Sequence, residues 1–222
     1  MTDRKLLDIE KIVPKLRQAV SSFPKAAMFA LAEEGYTSAF EQLISCIISI
    51  RTYDEVSLSV SRNLFAAART PEEISNLSVD EIETLIAQST YAQRKASQIK
   101  AIAQAIVAEH NGILPCDEDV MLNFKGVGVK CAHLTLGIAC GQPSISVDVH
   151  VHRVTNRWGY VETKTPEKTT VALETKLPKK YWTEINSLLV PFGKHICTGK
   201  LPRCSSCSLL EVCQQVGVEK NR

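Results

Sequence analysis

Four of the eight cysteines in this 222-residue chain fall between Cys197 and Cys213, with the spacing C-x6-C-x2-C-x5-C. Thiolates so close together suit a tetrahedral zinc or an iron–sulfur cluster. Zinc ribbons pair two C-x2-C knuckles, and here only Cys204 and Cys207 make one, so the irregular gaps favour a wrap around a larger cubane. Unbound thiols are the plainer alternative. Lys200 and Arg203 lie between the first two ligands with Pro202 stiffening the turn, a loop suited to gripping a nucleic-acid backbone. The other cysteines, Cys46, Cys116, Cys131 and Cys140, are scattered through apolar or mixed segments and read as small buried hydrophobes. The start, Met1 to Lys5, leads into acidic residues with no apolar run, so no secretory signal is expected. Thiols or metal ligands, rather than a disulfide framework, follow from that.

The rest of the chain reads as helix after helix. Glycine and proline together make only nineteen residues, which disfavours a turn-rich sandwich. Thr70-Pro71-Glu72-Glu73 and Ser78-Val79-Asp80-Glu81 are helix starts with a capping oxygen and an acid three residues on, and Thr165-Pro166-Glu167 opens another helix. Residues 94–110 carry Ile99, Ile102, Ala103, Ile106 and Val107 at helical spacing, stopped by Asn111-Gly112. Glu41 to Ile50 is apolar on nearly every side, as a helix at the centre of an all-α domain would be. Pro143 to His152 alternates apolar and polar, so a short strand there is a rival. With 45% hydrophobic residues and a net charge of +2, disorder is excluded, and no apolar stretch approaches the roughly 20 residues of a membrane span.

Charge is uneven. Residues 121–205 hold twelve lysines and arginines against five acids, which is either an electrostatic footprint for nucleic acid or a solvated face. Within this stretch Asp117 to Phe124 reads as a short helix, followed by Lys125-Gly126-Val127-Gly128-Val129-Lys130 and a second helical run, Cys131 to Cys140. Two glycines two apart allow backbone angles closed to other residues and let a ligand come close, and the N–H groups opening the second helix are a seat for phosphate. A purely steric helix–helix turn is the alternative. Lys130 is unexpected there, because a cation in the first turn is opposed by the helix dipole. The same field favours the neutral amine, which can attack the anomeric carbon of a sugar and form a Schiff base. A phosphate-binding or solvated lysine is the other reading.

Val147-Asp148-Val149-His150-Val151-His152 holds the only acid between Asp119 and Glu162. An aspartate before a helical run is commonly an N-cap, and a capping carboxylate in a cleft is also fixed in direction, ready to stabilise a cationic sugar or take a proton. His150 and His152 are spaced as metal ligands on a strand would be, or as structural hydrogen-bonding groups.

Taken jointly, these residues resemble the endonuclease III family of DNA repair enzymes, in the helix-hairpin-helix glycosylase superfamily. The resemblance runs from about residue 30 to Cys213 and includes the glycine hairpin with Lys130, the segment Val147 to His150, Glu184-Ile185-Asn186 leading to Phe192-Gly193, and the spacing of all four clustered cysteines. It implies an all-α fold: a six-helix barrel over residues 32–142, with the hairpin motif at about 117–140. Residues 1–31 would join 143–222 in a cluster domain, with the DNA cleft between the two. It implies Lys130 as nucleophile, Asp148 as its assistant, and a [4Fe–4S] cluster on Cys197, Cys204, Cys207 and Cys213. DNA contacts are expected from Gly126, Val127, Gly128, Arg51, Tyr91, His150, Lys200 and Arg203.

The implied activity is a bifunctional DNA glycosylase and abasic-site lyase of base excision repair. It would flip oxidised pyrimidines out of duplex DNA and cut 3′ to the abasic site by β-elimination. The partner is duplex DNA bearing damaged bases or abasic sites, the protein a monomer in the cytoplasm, at the nucleoid if bacterial, with no membrane contact. The chain departs from the family pattern at four places. Arg51 stands where glutamine is common, Thr90 where an apolar wedge is expected just before Tyr91, Lys125 for a proline and Val149 for a threonine. The first two motivate an alternative in which base preference is changed toward alkylated or mismatched bases. A non-catalytic damage-binding protein of the same fold is the other alternative.

Overall fold

Side-chain caps set where the helices of this chain begin. In the computed structural model, which describes residues 7–222, Asp8 opens α1 (Ile9–Val20), and α2 (Ala27–Glu33) follows a short turn. Ser38 and Glu41 form a reciprocal capping box for α3 (Ala39–Ser49), and α4 (Asp54–Ala67) follows a four-residue loop. The two boxes expected from sequence, Thr70/Glu73 and Ser78/Glu81, open α5 (Pro71–Asn76) and α6 (Val79–Leu85). Then come α7 (Ala92–His110), α8 (Glu118–Asn123) capped by Asp117, and α9 (Val129–Ala139). Asp148 caps α10 (Val149–Arg157), Thr165 caps α11 (Pro166–Lys176), and α12 (Trp182–His195) precedes the cysteine loop. No strand occurs among the described residues. The alternation after Pro143 is an extended segment that buries Ile145, Ser146 and Val147 before α10 begins. The reading of Met1 to Lys5 lies outside the described residues, and no helix among those described is long and apolar enough to cross a membrane.

The chain forms two compact units, one of Ala27–Ser144 and one joining the residues up to Ala26 with Ile145–Arg222. In the first, α3 is the central rod. Phe40 through Ile48 are all buried, and α2, α4, α7 and α9 pack around them. Burial on every side explains why this segment shows no polar face in the sequence. Its one acid, Glu41, is matched by the Arg69 guanidinium, which also donates to the Gly35 carbonyl. In the second unit α10 and α12 pack together, with Trp158 set edge-on to Phe192 at 6.1 Å between ring centres, and α1 lies against α12. Gly193 allows the α10–α12 approach. A Cβ there would meet His150 Nδ1 at 2.7 Å.

One expectation is corrected. Cys116 and Cys140 are not buried free thiols but a disulfide, with Cα atoms 5.9 Å apart. The helices α8 and α9 fold back on each other, so the exposed residue before the cap of α8 meets the half-buried residue that caps the end of α9. Gln142 Nε2 donates to the Cys116 carbonyl at 2.9 Å across the same junction. Cys46 and Cys131 are free and buried, as expected.

Candidate functional site

The hairpin between α8 and α9 is built by a single left-handed residue. Gly126 sits at φ +83°, and a Cβ there would come within 2.9 Å of Gln98 Nε2, which donates to the Lys125 carbonyl. Glycine is therefore demanded by the turn itself. Gly128 is a different case. It caps α9 with extended backbone, and a Cβ there would meet nothing within 4 Å. The residue is exposed, and the space over it is open. Val127 anchors the turn by burying its side chain in the core, so it can offer a ligand only its backbone.

Lys130 follows in the first turn of α9, half-buried, and its Nζ donates to Cys46 Sγ at 3.4 Å. Cys131, the residue after Lys130, is a second buried free thiol. Cys46 and Lys130 stand 84 positions apart in the chain, and the packing of α3 on α9 brings them into contact.

Arg51 and Tyr91, far apart in the chain, are adjacent in space. The Arg51 guanidinium lies 5.8 Å from the centre of the Tyr91 ring, and both residues take left-handed backbone at φ 57° and 60°. Such conformations are costly for non-glycine residues and persist only where the surroundings fix them. Here Thr90 Oγ1 donates to the Arg51 carbonyl at 2.9 Å, and the Thr90 N–H donates to Thr52 Oγ1 at 3.1 Å. The Thr90 hydroxyl is thus engaged within the fold, and the large apolar group this loop exposes is Tyr91 itself, 58% accessible.

Beneath the pair lies Lys95, a residue the sequence reading did not single out because nothing in its helical context marks it as buried. Its Nζ donates to the carbonyls of Ile48 and Ile50 at 2.6 and 2.9 Å and to Thr52 Oγ1 at 3.1 Å. It closes the end of α3 and holds the loop that carries Arg51. Burial pulls its ammonium down from the ordinary 10.5 to about 8. Between those values the folded chain has lost the proton while the unfolded chain still holds it, so Lys95 makes stability rise with pH across that window. Lys95→Met strands the buried Ile48 carbonyl and the partly buried Ile50 carbonyl and lowers unfolding free energy by about 1–3 kcal/mol. Its deficit against wild type widens from pH 8 to pH 10 in denaturant titrations. A gap that narrows over that range contradicts the assignment.

In the other unit, Asp148 is half-buried, and its Oδ1 accepts from the His150 and Val151 N–H groups, both at 2.9 Å. It is a true N-cap, and the two bonds fix the direction of the carboxylate. His150 turns toward α12, where Arg153 Nη2 lies 3.1 Å from its Nδ1 and donates to the Gly193 carbonyl at 2.9 Å. His152 bonds Thr169 Oγ1 at 2.6 Å through Nδ1, so the two histidines do not form a metal pair. Asn186 is buried and donates to the Ser146 carbonyl at 3.2 Å, which ties α12 to the segment leading into Asp148.

The four clustered cysteines line one cavity after α12, together with Trp158, Phe192, Ile196 and Leu210. Among the described residues, no group of three or more His, Cys, Asp or Glu side chains could hold a metal ion. The thiols surround a space and do not converge on a point. Arg157, unnoticed in the sequence, braces this loop. Its guanidinium donates to the Thr198 and Gly199 carbonyls at 2.6 Å each and reaches Cys197 Sγ at 3.5 Å. The Gln215 N–H donates to Cys213 Sγ at 3.4 Å. Lys200 and Arg203 are exposed on the same loop, while Pro202 is buried.

A family model described as HhH-GPD superfamily base excision DNA repair protein matches residues 44–179. Endonuclease III of Thermotoga maritima is 36% identical over 198 residues, 89% of this chain and 90% of that protein. Endonuclease III of Bacillus subtilis is 29% identical over 214 residues, 95% and 94% of the two chains. Among solved structures, a trapped Endonuclease III–DNA covalent intermediate superimposes with a TM-score of 0.79 and 28% identity, covering 95% of this chain and 97% of that one. An all-α chain with a glycine hairpin between two helices, matched in this way, is a base excision DNA repair enzyme of the helix-hairpin-helix glycosylase superfamily. Within that superfamily the chain belongs to the endonuclease III family, whose members are DNA glycosylases and abasic-site lyases.

Proposed function

We propose that the chain removes oxidised pyrimidines from duplex DNA inside the cell, through a Schiff base on Lys130. The observation that carries this reading is a half-buried amine in the first turn of the helix that leaves a hairpin whose Gly128 has empty space where a side chain would stand. The bare hairpin lets a phosphate approach the N–H groups that open α9, and the amine is then close to the sugar that the phosphate carries. The damaged base leaves the stack to reach the site. Lys130 Nζ gives its electron pair to C1′ as the bond to the base breaks, and Asp148 stabilises the positive charge developing on the sugar. A proton then passes from that nitrogen to the ring oxygen O4′ as the C1′–O4′ bond breaks, and the open-chain iminium so formed acidifies the 2′ hydrogen, whose loss as a proton expels the 3′ phosphate. Arg51 and Tyr91, stacked at a loop tip, are suited to fill the gap left by the flipped nucleotide and to contact its orphaned partner.

Cys197, Cys204, Cys207 and Cys213 fit a [4Fe–4S] cluster. Four thiols around one cavity, two of them already touched by N–H donors, are the donor set and the supporting shell such a group requires. When bound, it supplies four metal–thiolate ties that fix the loop presenting Lys200 and Arg203 to the DNA backbone.

A panel of duplexes carrying oxidised pyrimidines, alkylated bases and mismatches tests the substrate. Release of oxidised pyrimidines with strand nicking is expected to exceed all other activities by at least tenfold. Arg51 and Thr90, with a charge where an amide is usual and a hydroxyl where an apolar wedge is usual, motivate a second reading. Preferential release of alkylated or mismatched bases would establish that reading in place of the first.

A further inference from the structure

Two departures from the family pattern, Arg51 in the loop after α3 and Thr90 in the loop before α7, are bonded to each other. Thr90 Oγ1 donates to the Arg51 carbonyl at 2.9 Å, a bond that the apolar side chain usual at that place could not make. A second bond joins the same loops, from the Thr90 N–H to Thr52 Oγ1 at 3.1 Å. The Thr52 hydroxyl also accepts from Lys95 Nζ at 3.1 Å, so both loops and α7 meet at this one oxygen. The left-handed residues flank the junction: Arg51 directly before Thr52 on one loop, Tyr91 directly after Thr90 on the other. All of these residues belong to the compact unit Ala27–Ser144.

We propose that Thr52 and Thr90 are positioning residues for the opening of the duplex: they latch the Arg51 loop to the Tyr91 loop, so that guanidinium and ring enter the base stack as one preformed wedge. The proposal rests on the reading of Arg51 and Tyr91 as the groups that fill the gap. Neither threonine has to touch DNA.

The gap left by a flipped nucleotide closes again unless something fills it. Two independent loops, each able to relax out of its left-handed geometry, would have to be ordered during that opening, and the entropy lost would add to the barrier. The latch orders both loops before DNA arrives. Thr90 holds the Arg51 carbonyl, Lys95 holds the Ile50 carbonyl before it at 2.9 Å, and Thr52 after it is held by both. The Tyr91 carbonyl is fixed in turn by the Lys95 N–H at 3.1 Å. The backbone is therefore tied on each side of the guanidinium and beneath the ring, while both side chains remain exposed. The bonds made by Thr90 run from loop to loop at an exposed residue, so the packing of the helices does not depend on them.

Single-turnover base release at saturating enzyme tests this on two duplexes carrying the same oxidised pyrimidine, one fully paired and one with the lesion inside a short unpaired stretch. Thr52→Val and Thr90→Ala should each slow release from the paired duplex by about tenfold and from the unpaired one by less than about twofold. Thr52→Ser and Thr90→Ser keep the hydroxyl and should return the paired rate to that of wild type. A 2-aminopurine opposite the lesion reports opening directly, and its fluorescence rise should slow by the same factor as release. Equal slowing on both duplexes, wild-type rates on both, an unaltered fluorescence rise, or serine variants as slow as the valine and alanine ones each overturn the proposal. Should Thr52→Val not fold, the variants of exposed Thr90 decide alone. Arg51→Ala and Tyr91→Ala test the underlying reading separately: if neither lowers the ratio of paired to unpaired rates, the pair does not fill the gap. A wild type that releases no oxidised pyrimidine removes the substrate reading, and the latch is then tested on the same two duplexes bearing an alkylated base.

Discussion

Lys130→Ala is expected to abolish trapping on abasic-site DNA and to lower strand cleavage by roughly 10³-fold or more, the scale seen when a covalent nucleophile is removed. The fold should survive. Lys130 is only half-buried, it opens a helix where its charge is opposed by the dipole, and its hydrogen bond to Cys46 is not part of the helix's own ladder. Melting temperature and binding of intact duplex should therefore stay close to wild type, since the hairpin backbone and Gly128 are untouched. This separates loss of chemistry from loss of the site. Lys130→Arg makes the contrast sharper: it keeps the positive charge for phosphate contact, but a guanidinium stays protonated and cannot form the imine. A lysine that only bound phosphate would tolerate arginine. Mass spectrometry of the reduced wild-type adduct should find the sugar on Lys130, and an adduct on another side chain would falsify the assignment.

What could be read from the sequence divides along local and non-local lines. The caps at Thr70, Ser78, Thr165, Asp117 and Asp148 were legible because a capping oxygen and the N–H it serves lie within three residues of each other. The central position of α3 was legible because burial on all sides leaves no polar stripe. The disulfide was not, since Cys116 and Cys140 become neighbours only when α8 folds back on α9. Nor was Lys95, whose three acceptors lie more than forty positions away on the end of α3 and the loop after it. The same reason hid the Lys130–Cys46 contact and the brace of Arg157 on the cysteine loop. Tyr91 shows a subtler limit. The residue type was visible, but only the left-handed backbone and the engaged Thr90 hydroxyl reveal that the ring itself is what the loop exposes.

Replacing a single clustered cysteine should have the largest effect on stability. Cys207→Ser is the most informative choice. Its thiol is pushed up to about 11 by burial, so without a metal the loop would hold a neutral S–H among the apolar side chains of the cavity. Little then holds the loop closed apart from Arg157 and a few backbone bonds, among them Arg203 N–H to Ile196 and Arg222 N–H to Pro202, both at 2.9 Å. A metal group tied by four thiolates contributes its binding energy directly to folding of the segment it closes. Wild type is expected to be brown with about four irons per chain. Cys207→Ser should lose most of that iron, and a loss of about 4 kcal/mol or more corresponds to a fall of roughly 10 °C in melting temperature for a chain of this size. DNA affinity should drop as well, because Lys200 and Arg203 ride on the released loop, whereas trapping at saturating DNA should fall much less, since Lys130 belongs to the other compact unit. That split between binding and chemistry distinguishes a loop-fixing cluster from one that takes part in the covalent step. A colourless wild-type protein with stoichiometric zinc after anaerobic purification would replace the cluster with a different metal. An iron-replete, fully stable Cys207→Ser would remove Cys207 from the ligand set.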